Sequence, residues 1–163
     1  MKSIYYDENS IKKKDCQFLI DYFHKHYIGE HSHAPYLTLA LNSHRKLPWY
    51  HHFHVRVNSI RRSYIKRMEK YMGLKFAYDQ IIYYPNGCDM NMHWDEPIVT
   101  PWVSICNLND DFGGGYSIIE NNRIPPKTGL SVIFEGAKLL HGVDKVAGNR
   151  YIHITWWTKN GLP

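Results

Sequence analysis

The pattern that most constrains the fold begins at residue 74, where short runs of β-branched and aromatic residues alternate with turn residues. Such runs favour strands, and Gly, Asn and Asp between them favour tight turns. Roughly six to eight strands after two helical segments predict a mainly β fold with flanking helices, either a small antiparallel barrel or a double-sheet jelly roll. The predicted strands are Lys75–Tyr84, Asp89–Trp94, Val99–Asn107, Tyr116–Ile119, Leu130–Phe134, Lys138–Val143 and Arg150–Thr158.

Two stretches before residue 74 have helical spacing. Apolar residues recur every three or four positions over about 11–26 and again over about 59–72, which predicts a helix in each place. Asn58 or Ser59 is the expected N-cap of the second helix. Gly73 is its expected end, because glycine readily adopts the conformation that stops a helix.

Length and composition narrow the class of protein. A chain of 163 residues with 44% hydrophobic and 21% charged residues predicts one globular domain (1–163), in which a helical part (about 1–73) packs on a β core (about 74–160). Three cysteines without CxxC spacing argue against a disulfide framework or a cysteine zinc site. No apolar run is long enough for a membrane helix or a signal peptide, so we expect a soluble, cytoplasmic protein with no membrane partner.

The net charge of +5 is unevenly distributed. Residues 1–80 carry 14 Lys or Arg against 7 Asp or Glu, whereas residues 81–163 carry 6 against 8. A basic half is found in proteins that bind polyanions or acidic proteins, which leaves nucleic acid open as a partner. The solvated faces of helices give the same pattern, and we favour that interpretation.

The strongest local signal for chemistry is His93-Trp94-Asp95. In a strand, residues i and i+2 point to the same face, so His93 and Asp95 converge while Trp94 points away. An imidazole and a carboxylate are two ligands for a divalent metal, and a second imidazole would complete a facial triad with open positions. His141 supplies that candidate within the apolar stretch 139–143. The structural alternatives are a polar pair at a strand end and a hydrogen-bonded core histidine.

Arg150 follows His141 by nine residues and opens an apolar strand. A turn at 146–149 would place this strand beside the one that carries His141. A buried guanidinium needs an anion, because an unpaired buried charge is costly. A dicarboxylic acid bound to the metal at one end and to Arg150 at the other meets this need. The alternative is an internal salt bridge to Glu120 or Glu135.

Together these residues resemble the 2-oxoglutarate/Fe(II)-dependent oxygenase superfamily, and most closely its prolyl-4-hydroxylase-like branch. The HxD motif at His93, the distal His141 and the basic residue nine positions further on match that family in order and spacing. The resemblance covers the whole chain and includes Tyr84-Pro85-Asn86-Gly87, Gly113-Gly114-Gly115 and Phe134-Glu135-Gly136.

The resemblance implies a double-stranded β-helix with Fe(II) on His93, Asp95 and His141. It also implies that Arg150 binds the far carboxylate of the cosubstrate 2-oxoglutarate. The implied activity is hydroxylation of an unactivated C–H bond, in a prolyl residue of a peptide or protein or in a free amino acid, with decarboxylation of 2-oxoglutarate to succinate. Ascorbate is a further candidate cofactor.

Three positions refine what the resemblance implies. Family members place a Tyr of the strand before the metal motif against the cosubstrate, which here is Tyr84, with Tyr83 as the alternative in register. Some Arg-bearing members have a second such Tyr where this chain has Asn107, so the second partner of the carboxylate stays open. Asp95 favours hydroxylation, because related halogenases carry a small residue at that position.

Several rival functions remain open. Nucleic-acid oxidative demethylases of the same superfamily resemble one another in a second Arg six residues after the first, where this chain has Trp156. A non-catalytic basic β-barrel binding module and a cupin-like metalloprotein both leave Arg150 unexplained. A second metal site or phosphate-binding face at His51, His52 and His54 with Arg56 is also open. A solvated loop is favoured instead, because these histidines have no Cys or carboxylate at ligand spacing.

Overall fold

The computed structural model of the protein describes residues 4–27, 35–42, 55–96 and 101–159. Within these ranges lie two helices and twelve strands. In chain order they are β1 (Ile4–Asp7), α1 (Lys13–His26), β2 (Leu37–Asn42), α2 (Val55–Met72), β3 (Lys75–Tyr84), β4 (Met90–His93), β5 (Trp102–Asn107), β6 (Gly113–Gly114), β7 (Ser117–Ile119), β8 (Asn122–Ile124), β9 (Ser131–Phe134), β10 (His141–Val143), β11 (Val146–Ala147) and β12 (Arg150–Thr158).

The strands form two main sheets that face each other. The larger sheet has the strand order β1-β9-β5-β12-β3-β2, and the smaller has the order β4-β10-β7-β8. Strands β6 and β11 form a separate ribbon. Apolar side chains of both sheets fill the space between them, among them Val103, Ile119, Phe134 and Ile152. The architecture confirms the predicted double-sheet jelly roll.

Both helices pack on the outer face of the larger sheet. Leu19 and Phe23 of α1 and Met68 of α2 are buried against this face, where they join Tyr151 and Trp157 of β12. Each fully buried large apolar side chain stabilises the fold by about 1.5–3 kcal/mol relative to an exposed one. The larger sheet is therefore covered on one side by the helices and on the other by the smaller sheet.

The expected pairing of the last strand with the His141 strand is wrong. Strand β12 pairs with β3 and β5 in the larger sheet, whereas β10, which carries His141, pairs with β4 and β7 in the smaller one. The segment between β10 and β12 crosses from one sheet to the other instead of forming a hairpin. On the way, Val146 and Ala147 pair with Gly114 and Gly113 of β6.

The second helix, α2, starts earlier than predicted but ends where predicted. Helix α2 begins at Val55, four residues before the predicted start, so Asn58 and Ser59 lie inside the helix and neither is its N-cap. Asn58 Oδ1 instead accepts a hydrogen bond from Arg61 Nη1 at 3.2 Å. The predicted end is confirmed, since Gly73 has a φ of +66° and directly follows the last helical residue.

The strand predicted over 138–143 is shorter in the structure. Strand β10 covers only the last three of these residues, because the amides of Lys138 and Leu139 both donate to Glu135 O at 2.9 Å and form a turn. The histidines 51, 52 and 54 of the second candidate site lie outside the described residues. Of the helices that the structure describes, none is both long and apolar enough to span a bilayer.

A buried ion pair joins α2 to the larger sheet. Arg61 Nε and Nη2 donate to the two carboxylate oxygens of Asp79 at 2.7 and 2.6 Å, and His153 Nε2 lies 3.0 Å from Asp79 Oδ2. Burial alone would raise the pKa of Asp79, but the hydrogen bonds from His153 and Arg61 outweigh it and lower the pKa. The network therefore favours the ionised carboxylate.

Replacing Asp79 by Asn should lower the free energy of unfolding at pH 7 by about 3 kcal/mol, because removing one partner leaves a buried charge uncompensated. Since the folded pKa is depressed, this contribution is present above the unfolded carboxyl pKa of about 3.9 and is lost as pH falls through the lower folded pKa. Urea unfolding of wild type and Asp79→Asn at a series of pH values measures the difference. The exposed Asp21→Asn change on α1 is the control, and an equal loss in both variants would contradict the prediction.

Candidate metal centre and anion pocket

Three of the predicted ligand residues converge in the structure. His93, Asp95 and His141 each offer one ligand atom, and these atoms all lie within 4.8 Å of one another. Asp95 Oδ1 is 3.9 Å from His93 Nε2 and 3.7 Å from His141 Nε2. The three side chains thus surround a common point, and two imidazoles with one carboxylate suit a borderline divalent metal such as Fe(II).

Pairing of β4 with β10 brings the two imidazoles together. His93 lies directly opposite His141 in this antiparallel pair, and their ring centroids are 4.3 Å apart. Asp95 differs from the expectation, because β4 ends at His93 and the aspartate lies two residues beyond the strand. Its amide donates to Gly136 O at 3.0 Å, which holds it beside the two strands. Trp94 is 61% exposed, in keeping with the prediction that it points away.

Backbone carbonyls orient both imidazoles in the same way. His93 Nδ1 lies 2.9 Å from Asn91 O, and His141 Nδ1 lies 2.9 Å from Leu139 O. A carbonyl oxygen only accepts, so each Nδ1 donates and carries the ring proton. Each Nε2 is then left with a free lone pair that faces Asp95, which is the arrangement that metal-ligating histidines require.

The electrostatics of the site favour an added cation. Burial raises the pKa of Asp95, although His141, His93 and Trp156 oppose the increase. Burial likewise lowers the pKa of His141, so its imidazole favours the neutral form. Asp95 Oδ2 is buried and has no hydrogen-bond partner among the described residues. A divalent ion would stabilise the carboxylate and could bind both imidazoles.

Arg150 lies between the two sheets and is fully buried. Its Nη2 donates to Ser117 Oγ at 2.9 Å and contacts Asn107 Oδ1 at 3.4 Å, whereas its Nε and Nη1 have no partner among the described residues. Burial lowers the pKa of Arg150, and only the nearby Tyr84 and Asp144 act in the opposite direction. Within the described part of the chain this guanidinium lacks a carboxylate partner.

The alternative of an internal salt bridge is therefore wrong for both predicted carboxylates. Glu120 Oε1 accepts a hydrogen bond from the amide of Leu140 at 3.1 Å. Glu135 Oε1 lies 2.8 Å from Lys138 Nζ. Both glutamates are thus engaged away from Arg150, and the pocket offers an incoming anion two unpaired nitrogens.

The sheet register places the two candidate tyrosines, Tyr83 and Tyr84, on opposite faces of the larger sheet. Tyr84 lies opposite Arg150 in the β3–β12 pair, and its ring centroid is 5.2 Å from Arg150 Cζ. Tyr83 belongs to the other face, where its ring stacks on Tyr151 at 4.7 Å and its hydroxyl donates to Asn149 at 2.8 Å. Tyr84 is the tyrosine that faces the pocket, and burial raises its pKa, so its hydroxyl stays protonated.

Ser117 links the guanidinium to the metal ligands. His141 is opposite Ile119 in the β7–β10 pair, and Ser117 is opposite Val143, so Ser117 and His141 are diagonal neighbours. Such neighbours are about 7–8 Å apart and point to the same face. The Arg150 guanidinium and the candidate metal ligands therefore share one space between the sheets. Sequence reasoning missed Ser117, since a serine in a short strand carries no signal until the opposite sheet is in place.

The sequence matches no family model and no curated protein, but its fold is shared with solved structures. A collagen prolyl hydroxylase of Paramecium Bursaria Chlorella virus-1, in complex with 2OG, superposes with a TM-score of 0.68 at 19% identity and covers 96% of each chain. A Pseudomonas putida prolyl-4-hydroxylase superposes at 0.69 with 11% identity, covering 98% of this chain and 94% of its own.

Two further structures extend this likeness. A 2OG-Fe(II) oxygenase family protein of Burkholderia pseudomallei has a TM-score of 0.75 at 13% identity and covers 96% of this chain and 84% of its own. A Trichoplax adhaerens prolyl hydroxylase was solved in complex with a peptide fragment of the hypoxia inducible factor oxygen degradation domain. It superposes with a TM-score of 0.69 at 13% identity, and the match covers 98% of this chain and 85% of its own. The chain has the fold of these oxygenases and prolyl hydroxylases.

Removing either imidazole should strongly weaken metal binding while the fold persists. We expect His93→Ala and His141→Ala each to weaken binding of Co(II), a spectroscopic probe for Fe(II) sites, by about 100-fold or more, because even loss of an outer partner costs about 10- to 100-fold. Titration followed by visible absorption measures the affinity, and circular dichroism checks the fold. The exposed His24→Ala on α1 is the control. One equivalent of metal on the His93→Ala/His141→Ala double variant would contradict the assignment.

Proposed function

We propose that the protein is an Fe(II)- and 2-oxoglutarate-dependent dioxygenase that hydroxylates an unactivated C–H bond, with a prolyl residue of a peptide or protein as the favoured substrate. One observation carries the proposal. A two-histidine, one-carboxylate cluster and a fully buried arginine with two unpaired nitrogens share the space between the same two sheets. A metal alone would leave the arginine without a function, and an anion alone would leave the cluster without one.

Each part of the site has a separate role. His93, Asp95 and His141 would hold Fe(II) and leave positions on the metal open. Arg150 would bind the far carboxylate of 2-oxoglutarate, since a guanidinium fork matches a carboxylate in charge and geometry. Bound together, Fe(II) and 2-oxoglutarate supply the reaction in which dioxygen, 2-oxoglutarate and the substrate C–H group give succinate, CO2 and the hydroxylated product.

The residues around Arg150 prepare the pocket for an anion. Ser117 accepts from the guanidinium and keeps its own hydroxyl proton, so it can donate to a bound carboxylate. The protonated hydroxyl of Tyr84 belongs to the same face and donates to Met90 Sδ at 4.0 Å, a weak acceptor that a carboxylate could replace. Because the pocket is buried, a charge-assisted bond formed there is stronger than the same bond at the surface.

The position that separates hydroxylases from nucleic-acid demethylases is occupied by an aromatic side chain. Trp156 stands where those demethylases resemble one another in a second Arg. Its ring stacks on Tyr78, with centroids 4.5 Å apart. No cation is available there to act on a substrate or on Asp95, which favours the hydroxylase. The fold shared with several prolyl hydroxylases, one of them bound to a peptide, supports a peptide substrate.

Replacing Arg150 by Met should raise the KM for 2-oxoglutarate at least about tenfold, or about 1.4 kcal/mol, because the carboxylate loses its charged partner. Metal affinity should stay nearly unchanged, since Arg150 does not contact the three ligands. Arg150→Lys should recover part of the loss by keeping the charge without the fork. Succinate formation at varied 2-oxoglutarate measures the KM.

The exposed Arg62→Met change on α2 is the matched control for this series. If Arg150 had only a structural role, replacing it would lower the melting temperature and leave the KM for 2-oxoglutarate unchanged. A folded Arg150→Met protein with wild-type dependence on 2-oxoglutarate would therefore contradict the proposed role of Arg150.

The substrate class is tested by mass spectrometry. With Fe(II), 2-oxoglutarate and ascorbate, we expect a proline-rich peptide to gain the mass of one oxygen atom while an equal amount of succinate forms. The same peptide with Ala in place of each Pro and the His141→Ala protein are the controls. Oxygen added to free proline alone would restrict the substrate to an amino acid. Turnover of a methylated oligonucleotide and of no peptide would contradict the prolyl assignment.

A further inference from the structure

We infer that Gly136 is a positioning residue for the metal centre, because the absence of a side chain at this position leaves the space that the Asp95 carboxylate occupies. The inference rests on the proposed function, since it concerns the same three ligands, and assigns a role to a residue outside the triad. Gly136 lies in the turn between β9 and β10 and is buried.

The space beside Gly136 fits a carboxylate and no additional atom. An ideal Cβ on Gly136 would overlap Asp95 Oδ2 and would lie only 2.9 Å from Asp95 Cγ and 3.2 Å from Asp95 Cβ. All three close atoms belong to one short side chain, which has little freedom to withdraw. A methyl group at position 136 would therefore force the carboxylate to rotate or move.

The two carboxylate oxygens of Asp95 have different surroundings. Oδ1 faces His93 Nε2 and His141 Nε2, whereas Oδ2 is the oxygen that meets the space at Gly136 and has no hydrogen-bond partner among the described residues. Rotation of the carboxylate away from Gly136 would consequently move Oδ1 out of the position in which it faces both imidazoles.

Gly136 also fixes the backbone of Asp95. The aspartate lies beyond the end of β4, so no strand pairing locates it. Its amide donates to Gly136 O at 3.0 Å, and the next residue of the turn, Ala137, donates its amide to Pro101 O at 3.3 Å. One glycine thus supplies both the acceptor for the backbone of Asp95 and the space for its side chain.

The backbone of the turn does not itself require glycine. The φ of Gly136 lies outside the left-handed region, so alanine can adopt the same conformation. At such a position alanine ordinarily stabilises a protein by restricting the unfolded chain. Any loss caused by Gly136→Ala should therefore depend on the Asp95 side chain, and it should disappear when that side chain is removed.

Four proteins test this dependence: wild type, Gly136→Ala, Asp95→Gly and the double variant. Co(II) affinity is measured by titration without cosubstrate, and the melting temperature is measured on metal-free protein. Gly113→Ala is the matched control, because a Cβ at that position would make an ordinary 3.4 Å contact with Ala147 Cβ and its φ also lies outside the left-handed region.

We expect Gly136→Ala to weaken Co(II) binding by about 10- to 100-fold, the range for residues that position a ligand, while Gly113→Ala leaves the affinity unchanged. Gly136→Ala should also lower the melting temperature of the otherwise wild-type protein. In the Asp95→Gly background the same substitution should leave the melting temperature unchanged or raise it, because residues in contact show non-additive effects.

The inference would be overturned if Gly136→Ala bound Co(II) as tightly as wild type does. It would also be overturned if Gly136→Ala lowered the melting temperature equally in the wild-type and Asp95→Gly backgrounds. Neither result would affect the proposed function if Co(II) still binds wild type through His93 and His141. Absence of Co(II) binding to wild type would instead overturn the proposed metal site and, with it, the inference. If Gly136→Ala does not fold, a folded double variant supports the inference and an unfolded one overturns it.

Discussion

Burial of β12 on both faces is the constraint on which the rest of the structure depends. The strand lies between β3 and β5, so most of its backbone is paired on both sides, and its side chains alternate between two different cores. Tyr151 and Trp157 pack under the helices, while Ile152 and Ile154 face the smaller sheet. A one-residue slip would exchange the two sets and would turn Arg150 toward the helices. The register that stabilises both cores therefore also fixes the arginine between the two sheets, where the proposed anion would bind.

Buried carboxylates lie on both sides of this sheet, and they differ in their hydrogen-bond partners. On the helical face, Asp79 receives hydrogen bonds from Arg61, and His153 lies within hydrogen-bond distance of it. On the inner face, Asp95 Oδ2 and two nitrogens of Arg150 have no partner among the described residues. Buried groups without partners are costly and rare. Both oxygens of the Asp79 carboxylate have partners within the chain, although His153 Nδ1 beside it has none among the described residues. An open carboxylate oxygen and an open guanidinium between the same two sheets would be explained by a cation and an anion that bind there.

The sequence predicts the fold class and the converging residues because both depend on local properties. Period-two runs predict strands, and ligand types at a given spacing predict which side chains converge, as they do for His93 and His141. The pairing of β12 could not be predicted in this way, because it depends on how the chain crosses from one sheet to the other. The N-cap prediction at Asn58 failed because the helix begins earlier, at Val55, so Asn58 lies inside it. The role of Gly136 emerges only once Asp95 is placed beyond its strand.

The contacts of Arg150 explain how the pocket can lack a second tyrosine. Asn107 ends β5 in the larger sheet, and Ser117 begins β7 in the smaller one, yet both contact the same guanidinium nitrogen. Arg150 is thereby held from both sheets by short side chains, which leave more room than a phenol ring would. Because Nη2 is already engaged, the orientation of the guanidinium is set before any anion enters, and its two remaining nitrogens have no partner among the described residues. A carboxylate that binds there would cause little reorganisation, and preorganisation of this kind would let a single arginine with two short polar partners hold the proposed cosubstrate.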